Sequence, residues 1–581
     1  MNKLSNQSIC AILLLLILLT FANALKNPFM LDDYGFFGTN AKQPLWSFFV
    51  PNRNEVLGLD SPQMEKTYYR PLAHVIPLLC HRMFGAQPFG YHVVNTVLMW
   101  AAAVCVYFFL YHLKHLTEIK TWDDRTWRLF AFLGAVFFAL HPINGVLVNY
   151  ITASVFSAQV IFMTVSLILL QGRQRPRILG TQQRNNWGAG FLGNWGASMF
   201  FIFALLCHET AVLLPLYAVL VLRLKYTWGE TFKRITPLLA VLAAYGIFRS
   251  YASPFSRSIM YSFSILDLSL DQKAATVIKL LSWYFQKLFL PWDIFLMWST
   301  PFVREAAWMW WVPALVFLSC ATGILLVRIP RHVITLFAAW FALGLTPIAA
   351  GAFVTPYLGG LIEPHWFVFG SIGFFAAVSF GLCHLFKGSA RGFLVAVLIG
   401  SLMSLSFINN RLWSNEREYY EAWVKEAPYF KAVHYFLGLT LSREGRLDEA
   451  YDHLHKAVLG RYKDWMVYME LGLIDLRLNR LEKASENLRK AYTLEKNHSG
   501  LLNAVGALAF RLGKAEEAKD FWERSIKANP YNLEPKMNLG MYYVRRKDPA
   551  KAAEIYQGIL KQEPGFMPAQ KALGRLQRQG T

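Results

Sequence analysis

Cysteine is scarce in this chain of 581 residues: Cys10, Cys80, Cys105, Cys207, Cys320 and Cys383, all in or beside apolar runs. No CxxC or Cys/His spacing occurs, so no zinc-type cluster organises the fold, and the thiols read as small apolar packing residues. Charge is thin as well, at 16% of residues. Before about Arg411 it is confined to short stretches, whereas after it charges are dense and mixed in sign. Acidic side chains are in the minority, 37 against 58 Lys and Arg, for a net charge of +21. Nowhere do aromatic and basic residues alternate as a strand-binding platform requires, which argues against nucleic acid as a partner. About two-thirds of the excess positive charge lies before Arg411, between hydrophobic runs. That is where the positive-inside bias puts Lys and Arg in a membrane protein.

What the chain has in quantity is apolar sequence: 55% hydrophobic and 15% aromatic residues, with a mean hydropathy of +0.30. Candidate spans are about 9–25, 93–112, 128–142, 144–170, 191–207, 209–226, 234–250, 308–327, 333–354, 362–386 and 391–409, eleven in all. A crossing helix needs about twenty apolar residues, so the pairs meeting at His141 and at His208 are the shortest fits. With the amino terminus inside, every predicted cytoplasmic segment is basic: 113–127, 171–190, 223–233, 328–332 and 387–391. An odd number of spans then places the carboxy-terminal part on the non-cytoplasmic side, the periplasm of a bacterium or the lumen of a eukaryote. The first run is read either as a signal peptide, with Ala22-Asn23-Ala24 as a small-x-small cleavage site, or as a retained span. Around 278–287, aromatics and lysines are spaced as in an amphipathic helix lying at a membrane surface.

After Arg411 the pattern changes. Gly438, Gly472, Gly506, Gly540 and Gly574 recur every 34 residues, and Ala450, Ala484, Ala518 and Ala552 recur in step. This is the period of a tetratricopeptide array, in which the glycine of a first helix lets a second helix approach and alanine fits the gap. The expected class is therefore all-α: a polytopic helical domain over 1–410, a linker helix over 411–427 and a repeat solenoid over 428–581. The concave face of such a solenoid usually takes an extended peptide or a partner protein, and Tyr468, Asn503, Asn538 and Tyr542 are candidate groove residues. The plainer reading is a spacer without a ligand.

Polar residues at the ends of apolar runs are the candidates for chemistry. Asp32 and Asp33 follow the first span, where an acidic pair near lipid is costly unless solvated or functional. A carboxylate there could serve as general base toward an acceptor hydroxyl, or could simply cap a helix. Arg70, within Tyr69-Arg70-Pro71-Leu72, could hold a phosphate in bidentate fashion or snorkel to headgroups. Arg249 and His365 pose the same choice at the outer ends of later spans. His208-Glu209 lies between two spans, where a buried carboxylate needs a partner, and His141-Pro142 reads as a turn or a further site residue.

Taken in order, Asp32-Asp33, Tyr69-Arg70-Pro71-Leu72, Gly90-Tyr91-His92-Val93-Val94-Asn95, Ala139-Leu140-His141-Pro142, His208-Glu209-Thr210, Ser371-Ile372-Gly373-Phe374 and Asn410-Arg411 with Trp413 lead into the repeats. This series resembles the transmembrane and tetratricopeptide-repeat O-mannosyltransferases and their bacterial relatives, C-type membrane glycosyltransferases, over nearly the whole chain. The resemblance implies transfer of a sugar from a polyprenyl-phosphate carrier to a hydroxyl outside the cytoplasm. It implies a catalytic carboxylate at Asp32 with Asp33 beside it, which favours retaining the first span. It further implies that Arg70, with Arg249 or His365, holds the lipid phosphate. His208 stands where the relatives carry lysine, and Glu363-Pro364-His365 replaces a Glu-Arg-Tyr type sequence, so the sugar is left open. No cofactor is evident, and a divalent metal is left open. Expected partners are a polyprenyl-phosphate-linked sugar, an acceptor protein or peptide held by the repeats, and membrane lipid. The alternatives are an oligosaccharide ligase or polymerase of another membrane fold, and a non-catalytic membrane-anchored repeat scaffold for envelope assembly.

Overall fold

The computed structural model describes residues 5–31, 33, 44–50, 69–117, 119, 121–172, 187–252, 268–303, 330–351, 360–458 and 464–579. It is all-helical, with 23 α-helices among the described residues and one two-stranded ladder. The chain divides into two units, one of residues up to 33 with 69–419, the other holding 34–68 with 420–581.

In the first unit six described helices are long and apolar enough to cross a membrane: Pro88–His115, Ile151–Gln171, Trp228–Ser250, His332–Ala349, Pro364–Leu385 and Gly388–Leu412. The runs meeting at His141 resolve differently from the expected pair of spans. Asp124–Leu140 and Pro142–Asn149 form one helix pair bent by 57°, and a separate helix starts at Ile151. The cause is local: Pro142 cannot continue a helix, and the His141 Nδ1 accepts from the Ile143 N–H at 3.2 Å instead. Asn6–Phe21, Gly193–Cys207 and Glu209–Leu222 are shorter apolar helices. The run at 308–327 lies outside the described residues.

The helices are tied together by buried amides. The Asn27 Nδ2 donates to the Asn149 Oδ1 at 2.8 Å, and the Asn149 Nδ2 donates to the Asn410 Oδ1 at 2.7 Å. The Asn410 Nδ2 then donates to the Thr20 carbonyl and the Asn23 Oδ1, at 3.1 and 3.0 Å. This chain fastens the end of helix Gly388–Leu412 to the end of the first helix. Elsewhere two helices touch backbone to backbone: a Cβ on Gly370 would meet the Gly344 Cα at 2.7 Å. Small residues are what permit that approach. Replacing Asn410 by Ala is expected to lower stability by about 2–3 kcal/mol, because several buried amide groups lose partners at once. A melting curve of the purified protein tests this; an unchanged midpoint would mean that the chain of amides is dispensable.

The ladder pairs Trp298–Thr300 antiparallel with Gly360–Ile362, Trp298 opposite Ile362. Helix Leu270–Phe289, which covers the amphipathic stretch at 278–287, buries Ala275, Thr276, Leu280, Trp283, Tyr284, Lys287 and Leu288. Its Tyr284 hydroxyl donates to the Glu363 carbonyl at 2.7 Å. Together they fix where the segment Glu363-Pro364-His365 begins.

The second unit contains four helical hairpins: Lys431–Arg443 with Leu447–Ala457, Asp464–Arg477 with Leu481–Leu494, Ser499–Arg511 with Ala515–Ala528, and Glu534–Arg545 with Pro549–Gln562. Helix Met567–Gln579 follows. The periodic glycines sit where hairpins close. A Cβ on Gly438, Gly472 or Gly506 would meet Leu454, Leu488 or Trp522 at 2.6–2.7 Å, and one on Gly540 would meet Tyr556. The periodic alanines are fully buried, yet the side chain filling each gap is the residue four positions beyond the alanine, one helical turn on. At Gly574 nothing lies within 4 Å of a Cβ position.

The first hairpin carries a stacked histidine pair. The His434 Nε2–H donates to the Pro428 carbonyl at 2.8 Å, which leaves His434 Nδ1 to accept from the His453 Nδ1–H at 3.0 Å. Burial holds both imidazoles below the ordinary histidine pKa. The unfolded chain therefore binds more protons than the folded one as pH falls through about 6.5, and this pair's contribution to stability is lost in that direction. In the next first helix, burial and the neighbouring Glu534 push the Glu470 carboxyl up to about 7. That shift acts oppositely, its contribution being lost as pH rises through about 7. His453→Gln is thus expected to flatten the acid-side loss and Glu470→Gln the loss toward pH 7, read from melting midpoints between pH 5 and 8.

Candidate functional site

Five of the sequence candidates converge in the first unit. Arg70 occupies the N-cap of helix Pro71–Phe84, where proline at the first helical position forces a clean start. Its Nε donates to the Glu209 Oε2 at 2.6 Å. The Arg249 Nη2 lies 3.5 Å from the other oxygen, Oε1, so a single carboxylate faces two guanidinium groups. His208 Nε2 is 3.8 Å from the Glu209 Oε2. His365 stands across the Phe156 ring, whose centroid is 4.8 Å from His208 and 4.3 Å from His365. Tyr69 packs edge-on against Phe248 at 4.9 Å and so draws the Tyr-Arg-Pro-Leu stretch toward Arg249.

Each member is held by local structure. Glu209 opens a short 3-10 helix after His208, whose Nδ1 caps the Thr210 N–H at 3.3 Å. Gln159, from helix Ser154–Gln171, donates to the His208 carbonyl and the Thr210 hydroxyl, each at 3.0 Å. His365 Nε2 is 2.7 Å from the Glu363 carboxylate. Burial, then the Arg70 guanidinium and His365, hold the His208 imidazole neutral, well below the usual histidine range.

The site is incompletely satisfied. His208 Nε2, Glu209 Oε1 and His365 Nδ1 are buried without a hydrogen-bond partner among the described residues. Buried polar atoms are nearly always paired, so these three leave hydrogen-bonding capacity that a water or another polar group could take up. A small cavity of about 10 Å³, room for one water, touches Gln159, Thr210 and His365. Two guanidinium groups meet at the Glu209 carboxylate, and a guanidinium fork is the geometry that also suits an anionic oxygen.

Other candidates lie apart or outside view. Asp32 and residues 34–43 are outside the described residues. Asp33 is buried, and its Oδ2 accepts from the Met30 N–H at 3.0 Å, closing a turn after the first helix. His141 is buried at the bend, its Nε2 donating to the Leu288 carbonyl at 3.1 Å. Among the described residues no group of three His, Cys, Asp or Glu could hold a metal. The sequence offers Glu363 and Thr210 only as members of longer motifs, without a role of their own, and it does not single out Gln159. Glu363 had a visible signal in its spacing of two from His365, whereas Gln159 had none.

In the second unit Asn538 donates to Asn503 at 2.8 Å, and Asn503 to Glu534 at 3.2 Å, linking successive first helices. Tyr542 is not a groove residue. It is buried with Ala509, Ala518 and Trp522, and its hydroxyl donates to Glu516.

Comparison with known proteins concerns this second unit. Crystal structures of MamA (21% identity, 25% of this chain and 80% of that one, TM-score 0.22), of YrrB, "a TPR protein with an unusual peptide-binding site" (20%, 31% and 90%, TM-score 0.23), and of TTC0263 from Thermus thermophilus (19%, 30% and 94%, TM-score 0.26) are similar to it. No curated protein matches the chain. The tetratricopeptide-repeat family model matches residues 467–498, so together with the recurring hairpins the carboxy-terminal part is a tetratricopeptide-repeat array.

Proposed function

We propose that this protein is a membrane glycosyltransferase. It moves a sugar from a polyprenyl-phosphate-linked donor to a hydroxyl on the non-cytoplasmic face, and its repeats bind the acceptor. The observation that carries the reading is the cluster at Arg70, Glu209, Arg249, His208 and His365, which brings two guanidinium groups to one carboxylate beside two buried imidazoles. Two of the long apolar helices, Trp228–Ser250 and Gly388–Leu412, bury only 17% and 11% of their apolar windows, which suits a lipid surround. The resemblance of the motif series supplies the reaction class, and the repeat array supplies a partner-binding surface. In a bacterium the proposed location is the inner membrane with the repeats in the periplasm; in a eukaryote the repeats face the lumen.

In this scheme Asp32, with Asp33 beside it, takes the proton of the acceptor hydroxyl. The oxygen attacks the anomeric carbon from the face opposite the phosphate, and the carbon–oxygen bond to phosphate breaks with its electron pair leaving on the phosphate. Inversion follows. Arg70 and Arg249, with His365, neutralise the charge that develops on the departing phosphate. The test is transfer in purified membranes supplied with a lipid-linked donor. Asp32→Asn combined with Asp33→Asn is expected to abolish it; transfer at the wild-type rate would reject the enzyme reading.

The tetratricopeptide match favours a second reading, a membrane-anchored scaffold without catalysis. On that reading the double Asn variant keeps its cellular function, while removal of 428–581 abolishes it.

A further inference from the structure

The array holds a second periodic feature beyond its glycines and alanines. Arg443, Arg477, Arg511 and Arg545 also recur every 34 residues, each in the last turn of the first helix of a hairpin. Successive first helices touch one another more than successive second helices do, so the first helices line the inner, concave face of the solenoid. All four arginines are exposed.

A parallel row runs three residues further on, and the two rows differ in chemistry. Arg446 meets Glu449 at 2.6 Å, Arg480 meets Asp448 at 3.0 Å and Lys514 meets Glu517 at 3.5 Å. That row is neutralised. In the first row Arg477 donates to the Ser442 carbonyl and hydroxyl, at 2.8 and 3.1 Å, and Arg511 to the Asn479 Oδ1 at 2.7 Å. Arg545 stacks over the Phe510 ring at 4.7 Å. Each of these three guanidinium groups is therefore oriented by a neutral group of the preceding repeat and has no carboxylate partner among the described residues. The segment 428–581 as a whole carries 26 Lys and Arg against 18 Asp and Glu.

We infer that the row Arg477–Arg511–Arg545, in register with Arg443, docks an extended acidic peptide segment of a partner protein. Packed helices stand about 8–10 Å apart, and an extended chain advances about 3.3 Å per residue. Acidic side chains at roughly every third residue would thus meet successive arginines. A concave row suits a strand-like ligand better than a flat bilayer, and the Phe510 ring on this row is already covered by the Arg545 guanidinium rather than offered to a base. The inference deepens the reading of the repeats as the partner-binding part, and it does not depend on sugar transfer.

The competing role is purely internal: arginine in a last turn opposes the helix dipole, and its bonds clamp adjacent repeats. The experiment uses the full chain in detergent and a fluorescein-labelled peptide of about thirteen residues with Glu at every third position. A peptide of the same composition with its Glu residues contiguous is the comparator. Anisotropy at about 50 mM salt is expected to show preferential binding of the spaced peptide, weakening as salt rises. The triple change Arg477→Gln, Arg511→Gln and Arg545→Gln is expected to weaken it about tenfold, since exposed ion pairs each contribute modestly. Arg→Lys at the same three positions keeps the charge while losing the fork geometry, and should retain affinity within about threefold if charge is what the ligand reads. If the Gln variant unfolds the array, the Lys variant decides. Equal affinity in a folded Gln variant overturns the inference, as does loss of binding in a folded Lys variant. So does equal binding of the two peptides, or stronger competition by phosphatidylglycerol vesicles or single-stranded RNA. Failure here would leave the transfer assay with Asp32→Asn and Asp33→Asn untouched, so the two readings fail separately.

Discussion

Under the proposed transferase function, Arg70→Ala is expected to lower sugar transfer by about 10²–10³-fold, the range seen when one donor to a developing oxyanion is removed. The structural basis is the position of Arg70 at a helix start, with its guanidinium at the one carboxylate shared with Arg249. Arg249→Ala should act in the same direction but more weakly, because its guanidinium stands farther from Glu209. Glu209→Gln separates two roles for the carboxylate. If Glu209 only holds the arginines in place, the amide still accepts a hydrogen bond and most activity survives. If its charge keeps the local balance, the apparent donor affinity should instead rise as the site becomes more positive. The measurement is initial rate against lipid-linked donor concentration in purified membranes. Wild-type kinetics in Arg70→Ala would remove this cluster from the reaction.

Gly472→Val should cost about 3 kcal/mol in the repeat array, at the upper end of overpacking penalties. A Cβ there would lie 2.6 Å from the Cγ of Leu488, which is itself buried, so neither partner can yield without parting Asp464–Arg477 from Leu481–Leu494. Solenoid stability is close to a sum of nearest-neighbour terms, so damage should stay local at first. Hydrogen exchange is expected to rise across those two helices while helices of the first unit keep their protection. Gly472→Ala, with the smallest added group, should give a weaker version of the same pattern. Unchanged exchange in the valine variant would mean that the hairpin is looser than its geometry indicates.

The two halves of the protein differ in how much of them is legible in sequence. In the array each repeat is a local unit, so a feature required once is required every 34 residues, and Gly472, Ala484 and Arg477 announce themselves by recurrence. Even there the expected alanine contributes only its carbonyl, at 3.2 Å from a Cβ on Gly438 or Gly506, while a larger side chain one turn on fills the gap. Recurrence shows that a small residue is needed and is silent about which side chain leans in, and Leu488 and Trp522 differ in kind. Tyr542 shows the same limit, because an aromatic on a first helix can point to the groove or, as here, into the core. In the apolar half, composition marks helices but cannot say where they bend. The bend at His141 depends on Pro142 and on a ring nitrogen capping Ile143, and a hydropathy window averages over both.

The candidate site in the first unit rests on long-range convergence. Arg70 and Glu209 are 139 residues apart in the chain, and no local pattern pairs them. Their polarity at the ends of apolar runs was a sound reason to single them out, because an ionisable group beside lipid costs free energy unless something receives it. Which group receives it is a matter of helix packing. Gln159, Glu363 and the amides Asn27, Asn149 and Asn410 join through contacts between helices distant in sequence. Periodicity and composition were therefore enough for an apolar helical region followed by a tetratricopeptide array, since both arise from interactions within a few turns. The pairing of Arg70 and Arg249 across one carboxylate, with the buried His208 and His365 beside it, came from packing, since no short-range rule sets which helix faces meet.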